Sequence, residues 1–248
     1  MLASLDKLVS AEHVDDVWKY HVDSMAGFGF DRLIYGYTRF RTTQRPIGDW
    51  QDSVVLSNHS QAYLDEFLGN NMVYSAPMTK WAAENVGVRS WRFMFDDPGS
   101  LSDEERRVLE FNRSMGVTAG YTIAFPDSLA RAKGAIALTA KPGLSQDDVD
   151  AIWDEHGREL VVLNNVAHLK LINLPHPSKR SLLTKRQREA LEWVADGKTT
   201  ADIALILEVA PATVEKHLRL ARDALDVDTT AQAILKATFL NQIFVSKL

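Results

Sequence analysis

Residues 182–244 carry explicit helix start and stop signals, and no other stretch constrains the fold so tightly. Thr184 stands where it can cap a helix. Gln187, three residues on, can return the bond to the cap's own N–H, so Thr184-x-x-Gln187 is a capping box. Leu183, Ala190, Leu191 and Val194 give this helix an apolar stripe to about Asp196, and Gly197 follows as a left-handed residue that ends it. Thr199 or Thr200 opens a second helix with Ile203, Ala204, Ile206 and Leu207 as its inner side. Glu208, Val209 and Ala210 make a tight turn, and Pro211 suits the first position of a third helix, where no N–H is required. That helix turns Val214, Leu218, Ala221 and Leu225 inward and Glu215, Lys216, Arg219 and Arg222 outward. Thr229-x-x-Gln232 is a second capping box, and it opens a fourth helix through Ile234, Leu235 and Phe239, expected to span Ala231–Phe244.

Two helices, a three-residue turn and a polar third helix are the parts of a major-groove reader. In an isolated helix, outward Lys and Arg would be only a solvated face; the spacing of all four helices favours the groove reader. The segment closely resembles the C-terminal DNA-binding domain of LuxR-type transcription regulators. The resemblance rests on Leu183, Thr184, Arg186, Leu191, Ala195, Gly197, Lys198, Ile203, Ala204, Thr213, Val214, His217, Leu218 and Leu225. It implies base reading at Glu215 and Arg219, with Lys216, Arg222 and Lys198 on phosphates and Thr213 joining them on the DNA-facing side. The family usually has Glu at the position of Gln187 and Ser or Thr at that of Ala210. The first change keeps the capping box, whereas Ala210 cannot cap and costs the third helix about 1 kcal/mol.

The overall charge of −5 argues against a nucleic-acid binder until the chain is divided. From Ser178 onward the net charge is +2, and before it −7. The basic part can dock while the acidic part stays off DNA. Residues 173–181, with Pro175 and Pro177 and no periodicity, read as a semi-extended linker between a domain over 1–172 and a helix-turn-helix domain over 182–248. The chain has no Cys, no signal-peptide pattern at its start and no apolar run approaching the ~20 residues of a membrane span. A cytoplasmic protein is expected, with no membrane association.

Residues 1–172 mix helices and strands. Helices are expected over Ala11–Ala26 (Val14, Val17, Val22 and Met25 inward), Gln61–Phe67, Ala76–Glu84, Ser102–Met115 and from Ser145-x-x-Asp148 to about Lys170. Strands are expected over Arg32–Arg39, Ser53–Leu56, Tyr121–Phe125 and Gly134–Thr139. The order implies an α+β fold: an α/β/α sandwich around an antiparallel sheet, followed by an all-α helix-turn-helix domain.

This half resembles, more distantly, the autoinducer-binding domain of the same LuxR group, through Gly29-Phe30, Gly36, Pro77, Trp91, Gly116 and Gly120. The resemblance implies an N-acyl-homoserine lactone held between the sheet and one helix layer. It places the ligand site at Ile34, Gly36, Tyr37, Thr38, His59, Tyr63, Phe67, Val73, Ala76, Met78, Trp91, Thr122 and Ala137. Trp81 is read as core or surface. Several positions depart from the family. Tyr63 replaces a Trp that donates to the lactone carbonyl, and Phe67 replaces a Tyr. Ala76 replaces an Asp that accepts from the ligand amide, Ala137 a hydroxyl residue, and His59 a Tyr. Stranding the ligand's amide N–H costs about 1–3 kcal/mol. The expected ligand is therefore an acyl-homoserine lactone in a shifted pose, or a related small hydrophobic signal.

The seven His residues are scattered, and no HExxH, phosphate loop, Gly-x-Ser-x-Gly or Cys nucleophile is present. No enzyme activity, cofactor or metal is expected. The reading is a ligand-responsive homodimeric regulator on a two-fold symmetric double-stranded operator, with half-sites about one turn apart. The alternative is a ligand-independent dimeric DNA-binding regulator whose first domain serves only for dimerisation.

Overall fold

The computed structural model describes residues 1–42, 46–96, 99, 101–126, 129–175 and 183–244. The chain divides into two compact units, Met1–Ile172 and Asn173–Leu248. Of the expected linker over 173–181, Asn173 closes the last turn of a helix, and residues 176–181 lie outside the described residues.

Unit 1 runs α1 (Leu2–Ser10), α2 (Val14–Gly27), β1 (Phe30–Thr38), a 3-10 turn (Trp50–Asp52), β2 (Val54–Ser57), α3 (Gln61–Phe67), α4 (Met72–Ser75) and α5 (Pro77–Glu84). It continues with β3 (Gly87–Ser90), α6 (Phe93–Asp96), α7 (Asp103–Ser114), β4 (Gly120–Ala124), β5 (Lys133–Ala140) and α8 (Gln146–Asn173). The five strands form one sheet in the order β2-β1-β5-β4-β3, antiparallel at every pairing. Helices cover both faces. On one, the Tyr35 hydroxyl meets His168 Nδ1 of α8 at 2.9 Å, and α2 is tied to α8 by His21 Nε2 and Asn164 Oδ1 at 2.9 Å. Strand side chains alternate between faces. On the other face Ile34 and Ala137 therefore meet Tyr63, Phe67, Val73, Met78, Met94 and Val108 from α3 to α7.

Local chemistry sets most boundaries. Ser102 and Glu105 form a full capping box on α7, and Ser145 accepts from the Asp148 N–H at the start of α8. Only glycine fits at position 120, where a Cβ would lie 2.2 Å from the Leu138 carbonyl and 2.9 Å from the Trp91 ring. Three expectations for unit 1 need correction. The first helix starts at Val14, not Ala11, and a separate α1 precedes it. His21, not Val22, takes the buried position, because Val14, Val17, His21 and Met25 share one helical face. The first strand is Phe30–Thr38, two residues earlier at its start than expected.

Unit 2 holds α9 (Lys185–Ala195), α10 (Thr200–Ile206), α11 (Pro211–Leu225) and α12 (Thr230–Phe239). The Thr184–Gln187 and Thr229–Gln232 capping boxes are both formed, and Thr199 with Asp202 makes a third. Gly197, at φ +81°, ends the turn after α9. The core is Leu183, Ala190, Leu191, Ile203, Ala204, Val214, Leu218, Ala221, Leu225, Ala233 and Ala237 with their neighbours. Ile206, expected inside, is 43% exposed. The last helix stops at Phe239, short of Phe244: Asn241 turns left-handed at φ 50°, and buried Gln242 accepts from the Leu183 N–H at 3.1 Å.

Candidate ligand pocket and DNA-reading helix

A partly open cavity of about 910 Å³, counting the space at its mouth, lies on the α3–α5 side of the sheet. Its floor is the inward parity of two paired strands: Ile34, Gly36 and Thr38 of β1 against Ala137, Ala135 and Lys133 of β5. A Cβ on Gly36 would meet nothing within 4 Å, so this glycine opens directly on the void. The roof comes from Tyr63, Phe67, Val73, Met78, Ala82 and Ala83.

The structure brings together Ile34, Gly36, Tyr37, Thr38, His59, Tyr63, Phe67, Val73, Met78, Trp91, Thr122 and Ala137 around this cavity. Ala76 is the exception. It is fully buried at the N-cap of α5, inside the adjoining apolar cluster, and does not line the cavity. Trp81 also stands outside the lining. Sequence reasoning missed Ile47, Trp50, Val55, Thr79, Lys133 and Thr139. For Lys133 and Thr139 the signal was there, since both share the parity of Ala137 along β5.

Several polar groups of the pocket are already hydrogen-bonded within the protein. The Tyr63 hydroxyl donates to Asn112 Oδ1 at 3.0 Å, and Trp91 Nε1 donates to Thr122 Oγ1 at 2.9 Å. His59 Nε2 stands 3.4 Å from Thr139 Oγ1. His59, Tyr63 and Phe67 stack in series, with centroids 4.5 and 5.2 Å apart. Burial, helped by the charge of Arg32, lowers the His59 pKa to about 4, so its ring is neutral at pH 7. Burial likewise raises the Tyr63 pKa. Among the described residues, the buried Asn112 Nδ2 has no partner.

In unit 2, α10, a turn through Glu208 (φ 55°) and α11 form the helix-turn-helix. Glu215, Lys216 and Arg219 are exposed on α11, opposite buried Val214, Leu218, Ala221 and Leu225, and Thr213 is half-buried. Arg219 pairs with Asp223 at 3.1 Å on the open surface. A pair of that kind is worth about 0.3–0.5 kcal/mol, little to surrender for a base. Arg222 is more constrained, donating to Thr230 Oγ1 at 3.0 Å. Lys198 is exposed beyond α9. Ala210 occupies the N-cap of α11 with no side-chain bond, and Pro211 follows.

A cavity roofed by aromatic side chains in one unit and a helix-turn-helix in the other are the parts of a ligand-binding transcription regulator. Residues 13–171 match the model for the autoinducer binding domain, and residues 181–237 that for bacterial regulatory proteins of the luxR family. The chain is 25% identical over 239 residues to the transcriptional activator protein AnoR of Acinetobacter nosocomialis, covering 95% of each. It is 33% identical over 184 residues to the quorum sensing-dependent transcriptional regulator RpaR of Rhodopseudomonas palustris, covering 73% of this chain and 71% of that protein. A crystal structure of Escherichia coli SdiA shares the fold at a TM-score of 0.57 and 19% identity, over 98% of both chains. The chain belongs to the LuxR family of quorum-sensing transcription regulators, which bind DNA and autoinducer signals and are not enzymes. No described helix is long and apolar enough to cross a membrane.

Proposed function

We propose that the cavity on the α3–α5 face is the signal site, and that it takes an N-acyl-homoserine lactone or a related small hydrophobic molecule. The cavity itself carries this reading: it has an apolar wall and few polar groups, as small-molecule sites do. The domains act over residues 1–172 and 182–248, joined by 173–181. The protein works in the cytoplasm as a homodimer on a two-fold symmetric operator, read by Glu215 and Arg219 and held by Lys198, Thr213, Lys216 and Arg222. Ligand binding shifts the population toward the DNA-competent dimer.

The bonds Tyr63–Asn112 and Trp91–Thr122, together with Ala76, favour a second reading in which the sensor only dimerises. The experiment that separates the two measures the melting temperature and operator binding of the full-length protein, with and without lactones of graded chain length. Stabilisation by a lactone together with tighter operator binding supports the signal site. Tight operator binding that no ligand changes refutes it.

A further inference from the structure

Strand register sets a row of small residues across the sheet. Val55 of β2 faces Gly36 of β1, Gly36 faces Ala135 of β5, Ala135 faces Ala124 of β4, and Ala124 faces Gly87 of β3. Residues directly opposite one another share a face. Within this row Gly36 and Ala135 line the cavity, and so do Ala82 and Ala83 in the last turn of α5. The Ala83 carbonyl accepts from Arg41 Nη2 at 3.2 Å, and the Asn85 carbonyl from Lys133 Nζ at 2.6 Å. These bonds hold the last turn of α5 at the end of the sheet where β1 finishes and β5 begins. The aromatic groups gather at the other end: His59 beside Thr139 and stacked on Tyr63, and Trp91 bonded to Thr122. The cavity is thus a trough with aromatic walls at one end and a bare end at the other. Small residues can serve only to bring a helix close to a sheet. Here space remains, since a Cβ on Gly36 meets nothing within 4 Å.

We propose that the bare end receives a flat ring, so that the signal is an acyl compound whose chain ends in an aromatic group and not in a straight alkyl tail. The inference rests on the cavity being the signal site. A straight chain is one methylene wide, and over a floor without side chains it leaves gaps on either side. Such gaps forfeit van der Waals contact, because the wall atoms beside them have no partner. A ring over Gly36 and Ala135 covers that width in a single plane, with the Ala82 and Ala83 methyls above it. It asks for no hydrogen bond there, and the polar groups Thr122, Thr139 and His59 stand at the opposite end.

The test is calorimetric titration of the full-length protein with nonanoyl-homoserine lactone and with 3-phenylpropanoyl-homoserine lactone, which have the same number of acyl carbons. The straight chain is the more hydrophobic of the two, so unselective burial favours it. The expected result is tighter binding of the phenyl form by about tenfold, the effect of two further carbon groups gaining full burial. Ala135→Val raises the bare floor in a strand that suits a branched side chain. It should abolish the advantage of the ring while the straight chain still binds. If Ala135→Val does not fold, the wild-type ratio decides alone. Equal affinity for the two probes, preference for the straight chain, or an undiminished ring preference in folded Ala135→Val overturns the inference and leaves the signal site standing. Failure of both probes to bind overturns the lactone site and this inference with it.

Discussion

Gly36→Val is the sharpest probe of the cavity, because nearly everything about it can be worked from the structure. The glycine sits mid-strand in β1, paired with Val55 and Ala135, and a Cβ there meets nothing within 4 Å. Replacing Gly inside a strand recovers roughly 0.5–1 kcal/mol of backbone entropy. The three added carbons enter apolar space at up to about 0.8 kcal/mol each, and the open mouth reduces that gain. A net stabilisation of about 1–2 kcal/mol is expected, raising the melting temperature without ligand by about 2–8 °C. The same isopropyl group stands in the trough between Ala135 and the roof. A chain-bearing ligand must then overpack or move aside at a cost of about 1–3 kcal/mol, a tenfold to hundredfold loss of affinity. Differential scanning calorimetry with and without decanoyl-homoserine lactone reads both effects. A fall in melting temperature would show that Gly36 faces a filled core. Undiminished stabilisation by the lactone would move the site elsewhere.

Arg219→Ala should weaken operator binding by about 1–3 kcal/mol and relax base preference at one position while leaving the melting temperature unchanged; gel-shift titration against a substituted operator series checks it, and unchanged affinity refutes the assigned helix. Ala210→Ser supplies the missing cap of α11 and should stabilise unit 2 by about 1 kcal/mol, seen as a raised urea midpoint of that unit's transition; no change would mean the Pro211 turn leaves no N–H in reach. His21, His59 and His168 all have folded pKa values near 4, below the unfolded 6.5, because burial disfavours the charged ring. Unfolding therefore takes up protons, and stability is complete above pH 6.5 and lost as pH falls toward 4. His21→Gln should flatten that acid limb relative to its own value at pH 7.5; parallel limbs for variant and wild type would contradict neutral burial of His21.

The helices with explicit caps were legible because a cap is a local signal. Ser102 with Glu105, Thr184 with Gln187 and Thr229 with Gln232 each satisfy N–H groups within four residues of one another. The short elements α4, β3 and α6 span four residues each, too few for any periodicity to rise above the surrounding loops. The end of α12 was illegible for a different reason. Apolar Leu240 and Ile243 continue the helical rhythm, but Asn241 turns left-handed, donating to the Leu174 carbonyl, and Gln242 accepts from the distant Leu183 N–H. Most of the pocket residues came from family resemblance. Lys133 shares the strand parity of Ala137, and the register with Thr38 places it on the cavity side.

The departures at Tyr63, Phe67 and Ala76 now have a common physical sense. The pocket turns its remaining polar groups on itself, Tyr63 to Asn112 and Trp91 to Thr122, instead of holding them for a ligand head group. A ligand that wants those bonds must break existing ones, so the net gain from head-group recognition is small. Apolar burial along the trough carries no such exchange and scales with contact area. A ligand in this cavity is therefore expected to be selected by the length and shape of its chain more than by its head group. That ordering inverts the one the resemblance implied, in which an Asp and a Trp fix the head and the tail is accommodated.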